Sequence, residues 1–195
     1  MLMARTIPIH EHAMDQIKYI RNAMERSSAF TAVPGWGGVA MGISALIAAY
    51  FAAQQPSVGA WVRVWMYECL IGMVIGGTAL WRKAQTFDEP LFEGAGRKFL
   101  LSFAPPIVAG ALVSFAIYHF GPQFIPGVWL IMYGTAVVAA GTFSVRIVPL
   151  MGFCFMAAGA VALFLPLHLG NVALGAGFGG LHVVFGFLIA KRFGG

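Results

Sequence analysis

Charged residues are scarce in this chain: seven acidic and twelve basic side chains occur among 195 residues. They make up 10% of the composition, whereas hydrophobic residues make up 59% and the mean hydropathy is +0.82. Soluble domains carry about 25% charged residues, and disordered chains carry few apolar ones. The composition therefore excludes both classes and predicts a protein whose solvent is lipid.

Cysteine is equally rare, and Cys69 and Cys154 lie in separate apolar runs. Two isolated thiols form neither a disulfide framework nor a CxxC ligand pair. No HExxH, CxxCH or paired-carboxylate motif accompanies the histidines. We therefore predict no catalytic residue and no metal site, and a function that is not enzymatic, while the sequence leaves the cofactor question open.

Long apolar runs are abundant, and each is about long enough to cross a hydrocarbon core of ~30 Å. They predict six transmembrane helices, arranged as three hairpins in an all-α integral membrane bundle. The runs lie near residues 34–53, 61–80, 99–120, 126–143, 147–165 and 170–190.

Basic residues alternate with these runs in a way that predicts the orientation of the chain. The connections 54–60, 121–125 and 166–169 contain no Lys or Arg, and Arg63 is the one basic residue that falls on their side. The other eleven basic residues lie on the opposite side, which the positive-inside rule assigns to the cytoplasm. We expect both termini there, in a bacterial-type inner membrane. Because topology accounts for the basic charge, no nucleic-acid partner is predicted.

The predicted domains follow from this topology. Residues 1–33 form a cytoplasmic amphipathic helix and linker, 34–192 form the transmembrane domain with a cytoplasmic loop at 81–98, and 193–195 form a short tail. Within 8–30, apolar and small residues recur at alternating spacings of four and three, with charged residues mainly off that stripe. Such a helix lies in the headgroup region, or else docks a partner or dimerises.

Glu68 lies within the second apolar run, where a carboxyl group is costly. It precedes Gly72 and Gly76 at spacings of four, which places the three residues on one face of a helix. Because small residues allow helices to approach closely, we expect Glu68 to point into the bundle. Two interpretations stay open: proton or cation handling, and a hydrogen-bonded carboxyl that fixes helix packing.

His182 occupies a similar stripe in the sixth run, with Gly175, Gly179 and Gly186 as predicted packing residues. We predict that helices two and six lie near each other and that Glu68 and His182 line one interior polar site. The alternative is two unrelated polar residues that serve packing.

His119 is predicted at the outer end of the third helix and His168 in the last external connection, so both lie on one side of the membrane and could converge on a haem or a metal. The alternative is that each is an interfacial side chain, since histidine is amphipathic.

Three classes of function remain open. The first, which we favour, is an interaction or regulatory membrane protein that engages a partner or a second copy through its cytoplasmic surfaces. The second is a small oligomeric transporter or channel with a proton or cation site at Glu68 and His182. The third is a redox subunit that binds haem or quinone.

Overall fold

The computed structural model describes residues 14, 16–18, 20, 30–88 and 90–193. The residues described before Phe30 are all helical and exposed, and they belong to the predicted amphipathic helix. The rest of that helix before Phe30 lies outside the described residues. Its amphipathic character therefore stays a prediction.

The all-α prediction is confirmed across the described residues. A 3-10 turn at Pro122–Phe124 precedes α4, and α6 contains a π-helical segment, Gly175–Leu181. The helices are α1 Gly35–Ala52, α2 Val58–Thr86, α3 Gly94–Ile117, α4 Ile125–Gly141, α5 Ile147–Ala162 and α6 Leu167–Phe193.

Five of these helices are long and apolar enough to cross a membrane, with the 3-10 turn counted as part of α4. The remaining one, α5, is apolar but has 16 residues, fewer than the ~20 of a typical crossing. The chain is thus an all-helical protein with several candidate membrane spans.

The helices extend beyond the apolar runs at the connection predicted for 81–98. There α2 continues to Thr86 and α3 begins at Gly94, so only 87–93 connects them. Lys and Arg are good helix formers. The loss of apolar character after residue 80 therefore marks the edge of the hydrophobic segment and not the end of the helix.

Consecutive helices run in opposite directions, so the starts of α1, α3 and α5 share one end of the bundle with the ends of α2, α4 and α6. We call this the basic end, and the other the opposite end, towards which Arg63 lies. The described basic residues at the basic end are Arg82, Lys83, Arg97, Lys98, Arg146, Lys191 and Arg192.

Glycine brings α1 and α6 into backbone contact. A Cβ atom at Gly42 would lie 2.7 Å from the carbonyl oxygen of Gly179, and one at Gly186 would lie 2.6 Å from the nitrogen of Val39. Real Cβ atoms do not approach backbone atoms so closely. Side chains as small as alanine are therefore too large at these positions.

Glycine also brings α4 and α5 into backbone contact. We call this contact, and the one between α1 and α6, the glycine seams. A Cβ atom at Gly134 would lie 2.7 Å from the carbonyl oxygen of Gly152, and the reverse distance is also 2.7 Å. Gly127, Gly134 and Gly141 recur every seven residues, a period that keeps one helix face on its neighbour. Because lipid is as apolar as the side chains, such close van der Waals contact is a main source of helix association in a membrane.

The bundle consists of two groups of three helices, and each group contains one of the two glycine seams. In one group α1 lies between α2 and α6, and in the other α4 lies between α3 and α5. The groups meet where α6 packs against α4 and α5. Leu130, Phe155 and Leu174 are fully buried at this junction.

We predict that Gly186→Ala lowers the free energy of unfolding by about 1–3 kcal/mol, because the new methyl group must push α1 and α6 apart. The matched control is Gly77→Ala on α2, where an added Cβ atom meets nothing within 4 Å. The control should be neutral or slightly stabilising, since alanine favours helix. Unfolding in mixed micelles measures both variants, and equal midpoints would contradict the seam.

Candidate functional site

Glu68 on α2 and His182 on α6 are both buried, with 8% and 4% of their surfaces exposed. Both side chains are thus largely shielded within the protein. Among the described residues, Glu68 carries the buried carboxyl group and His182 carries the buried imidazole. Each has a different set of partners.

Glu68 is held by α1. Its Oε1 atom lies 2.7 Å from the Ser44 hydroxyl, which in turn lies 2.9 Å from the carbonyl oxygen of Met41. Because a serine hydroxyl has a single proton, it cannot donate to both oxygens at once. Ser44 can donate to Glu68 in either protonation state of the carboxyl group, or it can donate to Met41 while a protonated Glu68 donates to Ser44.

His182 is held by α4 and by its own helix. Its Nδ1 atom lies 2.9 Å from the Phe178 carbonyl oxygen, and its Nε2 atom lies 2.7 Å from the Tyr133 hydroxyl. A carbonyl only accepts, so Nδ1 carries the proton. In the neutral ring Nε2 then accepts from the Tyr133 hydroxyl, and both ring nitrogens are engaged.

Aromatic rings from three helices, α3, α5 and α6, pack against the Tyr133–His182 pair. The rings of Phe155 and Phe178 have centroids 5.1 and 6.2 Å from that of His182. Phe103 on α3 meets the Tyr133 ring edge-on at 5.8 Å. In such an apolar cage a hydrogen bond is strong, and a polar atom without a partner is costly. We call these five residues the aromatic cage.

The π-helical segment Gly175–Leu181 leads directly into His182. Its glycines serve two neighbours, since Gly179 packs on Leu46 of α1 and Gly177 packs on Leu130 of α4. Larger side chains at these positions would require Leu46 or Leu130 to shift. Short π-helical segments occur often at functional sites, so this part of α6 is a candidate functional region.

Glu68 and His182 thus have separate hydrogen-bond partners among the described residues, on α1 and on α4 respectively. A single interior site that contains both stays a prediction. The signal for their partners was weak in the sequence, because Ser44 and Tyr133 are a lone serine and a lone tyrosine inside apolar runs.

The predicted packing glycines occupy different surroundings. On α6, Gly175 and Gly179 face α1 and Gly186 contacts it closely. On α2, Gly76 contacts the sulfur of Met41, whereas a Cβ atom at Gly72 would meet nothing within 4 Å. Within one copy of the chain, Gly72 therefore brings no helix closer.

His119 and His168 are both exposed at the opposite end. The His119 ring packs edge-on against Tyr118 at 4.9 Å. Across the described residues, no group of three or more His, Cys, Asp or Glu side chains is placed to hold a metal ion. A shared ligand for these two histidines stays a prediction.

Asn171 at the start of α6 joins three helices near the opposite end. Its Oδ1 atom accepts from the indole nitrogens of Trp61 and Trp65 on α2, both at 3.1 Å, and its Nδ2 atom donates to the Ala49 carbonyl of α1 at 2.8 Å. Trp61 also stacks on Trp129 of α4, with centroids 6.0 Å apart. The aromatic residues at this end predict an interfacial belt, but they do not predict the hydrogen bonds that Asn171 makes to α1 and α2.

Lys83 plays a comparable role at the basic end, where it is 6% exposed. Its Nζ atom donates to the carbonyl oxygens of Val33 and Phe193, at 3.0 and 3.1 Å. The first precedes α1 and the second ends α6, where a cation also favours the helix dipole. Lys83 was counted in the sequence among the charges that set topology, and its burial is a finding of the structure.

The segment from Phe30 to Val33 lies at the basic end, where the side chains of Phe30 and Ala32 are buried. The Phe30 nitrogen donates to the Phe143 carbonyl and its carbonyl accepts from the Ser144 hydroxyl, both at 2.7 Å, while its ring contacts Phe99. The chain before α1 is thereby tied to the turn between α4 and α5. We call the buried residues around it the basic-end cluster: Phe30, Ala32, Ala84 and Leu91.

No family model matches this chain, and neither a curated protein sequence nor a solved structure matches it.

We predict that Tyr133→Phe and His182→Phe each lower the free energy of unfolding by about 1–3 kcal/mol, because each leaves a polar atom unpaired inside the aromatic cage. The double variant removes both polar groups and should lose less than the sum of the two single losses. A double-mutant cycle of unfolding in mixed micelles measures this. Strictly additive losses would mean that the two groups do not interact.

Proposed function

We propose that this chain is a non-enzymatic interaction or regulatory protein that crosses a bacterial-type inner membrane six times, with both termini in the cytoplasm. The observation that carries the proposal is the tie between the N-terminal segment and the bundle through Phe30. The basic end is the cytoplasmic face in this proposal, and the partner binds there.

The uneven distribution of basic residues supports this topology. Seven described basic side chains lie at the basic end, whereas Arg63 lies towards the other. As the sixth span, α5 would cover about 24 Å at 1.5 Å per residue. The apolar residues 163–165 that follow it extend that length.

The N-terminal helix supports a role in binding because its described apolar side chains are uncovered. Met14, Ile17 and Ile20 are 44%, 60% and 56% exposed. An apolar surface that the chain leaves open can be covered by a partner, by a second copy or by lipid headgroups. The proposal assigns it to a protein partner.

The Phe30 to Val33 segment gives such a partner a route to the bundle. A force on this segment acts on Lys83, which also holds the ends of α1 and α6, and on Ser144 between α4 and α5. Binding that moves the segment would therefore shift several helix ends together. This is the physical basis for a regulatory role.

The interior gives less support to transport through a single copy. Every buried side-chain nitrogen and oxygen atom in the described part of the chain has a hydrogen-bond partner. One surface recess lies between α5 and α6 and another at the basic ends of α1 and α2, so neither runs through the bundle. An oligomer would be needed to provide a path.

Photocrosslinking in cells tests the interaction proposal. A photoreactive amino acid at position 17 should give a discrete protein adduct, and the same probe at Phe120, a residue 77% exposed at the opposite end, should not. Ile20→Asp should weaken the adduct several-fold, because it places a charge in an apolar contact. Mass spectrometry of the adduct identifies the partner or a second copy.

Lipid adducts alone from position 17, or the same protein adducts from both positions, would contradict the proposal. Ile20→Asp should leave the unfolding midpoint unchanged, because Ile20 is exposed. That control separates a lost contact from a lost fold.

Proton or cation handling is a second candidate function, and the Glu68–Ser44–Met41 arrangement favours it. Glu68 can keep a hydrogen bond to Ser44 both with and without its proton, as an acceptor when ionised and as a donor or acceptor when protonated. A carboxyl group that can gain and lose a proton inside a bundle is what a coupled transporter requires.

Proton flux into proteoliposomes tests the second candidate. If Glu68 carries protons, Glu68→Gln should reduce flux at least about tenfold, since the amide keeps a hydrogen bond to Ser44 but cannot release a proton. Glu93→Gln, which neutralises an exposed carboxyl at the basic end, is the matched control and should retain flux. Equal flux from liposomes with and without the protein would remove this candidate.

The haem or quinone function stays a prediction from the sequence. Both ring nitrogens of His182 already have hydrogen-bond partners, so the geometry there does not favour an axial bond.

A further inference from the structure

A recess of about 210 Å³ lies at the basic end between the start of α1 and the last turns of α2. It is smaller than the ~300 Å³ of a typical small-molecule pocket. None of the residues that line it is acidic. The residues that matter for its chemistry are Pro34, Trp36, Arg82, Lys83, Thr86 and Phe87.

The first turn of α1 lines part of this recess through Trp36 and Gly37. The amides of Gly35, Trp36 and Gly37 precede the first intrahelical bond, which Gly38 donates to Pro34. Pro34 provides no side-chain cap for them. The positive end of the helix dipole therefore faces the recess.

Two cationic side chains from α2 reinforce that positive potential. Arg82 is exposed on the recess wall, and Lys83 is fixed beside it by its hydrogen bonds to Val33 and Phe193. The Thr86 hydroxyl, one turn beyond Arg82, donates to the Arg82 carbonyl oxygen at 3.1 Å and would exchange that intrahelical bond for one to a phosphate. Arginine, a hydroxyl and helix amides together form a donor set suited to a phosphate group.

The apolar walls point to a lipid as the source of the phosphate. Trp36 and Phe87 flank the basic residues and are 57% and 51% exposed. Ile43 and Tyr50 continue the exposed face of α1 from Trp36 at intervals of seven residues. An acyl chain can follow this face while the headgroup occupies the recess.

We infer that this recess binds the headgroup of an anionic phospholipid, with Arg82, Thr86 and the first-turn amides of α1 as donors to the phosphate. Basic pockets between transmembrane helices on the cytoplasmic side are suited to such headgroups. None of the residues that line the recess belongs to the proposed partner surface around Ile17.

Native mass spectrometry in a neutral detergent tests the inference with dioleoyl phosphatidylglycerol and dioleoyl phosphatidylcholine. The full chain should bind phosphatidylglycerol about tenfold more tightly than phosphatidylcholine. Arg82→Gln should reduce that preference about tenfold, because it removes a charge-assisted hydrogen bond. Thr86→Val, which keeps the side-chain shape, should reduce it by a smaller factor.

Arg97→Gln is the matched control, because it removes one exposed positive charge from the same end but lies outside the recess. It should keep the preference for phosphatidylglycerol. Equal losses in Arg82→Gln and Arg97→Gln would overturn the inference in favour of bulk charge attraction. Displacement of bound phosphatidylglycerol by millimolar inorganic phosphate would overturn the assignment to lipid, and so would the lack of any preference in the unaltered chain.

Discussion

Backbone contact between helices at glycine is the constraint on which the rest of this structure depends. Within a bilayer the hydrophobic effect does not draw one apolar helix to another, so association needs close van der Waals contact and polar bonds between helices. Here Gly42 and Gly186 bring α1 and α6 together, and Gly134 and Gly152 do the same for α4 and α5. These two seams fix the positions of four helices, and the other two pack on α1 and α4.

The interhelical hydrogen bonds follow from this close packing, because short polar side chains reach a neighbouring helix only when the helices are near. They occur at three levels. Asn171 joins helices near the opposite end, Ser44 with Glu68 and Tyr133 with His182 join them in the interior, and Lys83 joins them at the basic end. A polar group in apolar surroundings is costly without its partner, so each pair also selects one arrangement of the helices.

Much of the helical architecture could be predicted from the sequence, because apolar runs and glycine stripes are local patterns. The pairing of helices could not, since surfaces that face lipid and surfaces that face protein are equally apolar. Gly72 and Gly186 occupy similar stripes, yet Gly186 alone of the two contacts another backbone. The sequence shows Lys83 only as a topological charge, because its acceptors are main-chain carbonyls, which no residue type reveals. Tyr133 gives no signal as the partner of His182 for a different reason, since it is a lone tyrosine inside an apolar run.

The polar side chains of the interior are hydrogen-bonded, whereas polar side chains at the basic end are exposed, and this difference favours a functional site at the basic end. In the interior, Glu68 and His182 are already hydrogen-bonded, and a ligand that replaced those bonds would first have to break them. At the basic end, exposed Arg82 borders a recess, and the acidic residues described nearby, Asp88 and Glu93, do not line it. A ligand there gains charge-assisted bonds without displacing interhelical ones. Binding at this end therefore leaves the helix seams intact, whereas binding at the aromatic cage would disturb them.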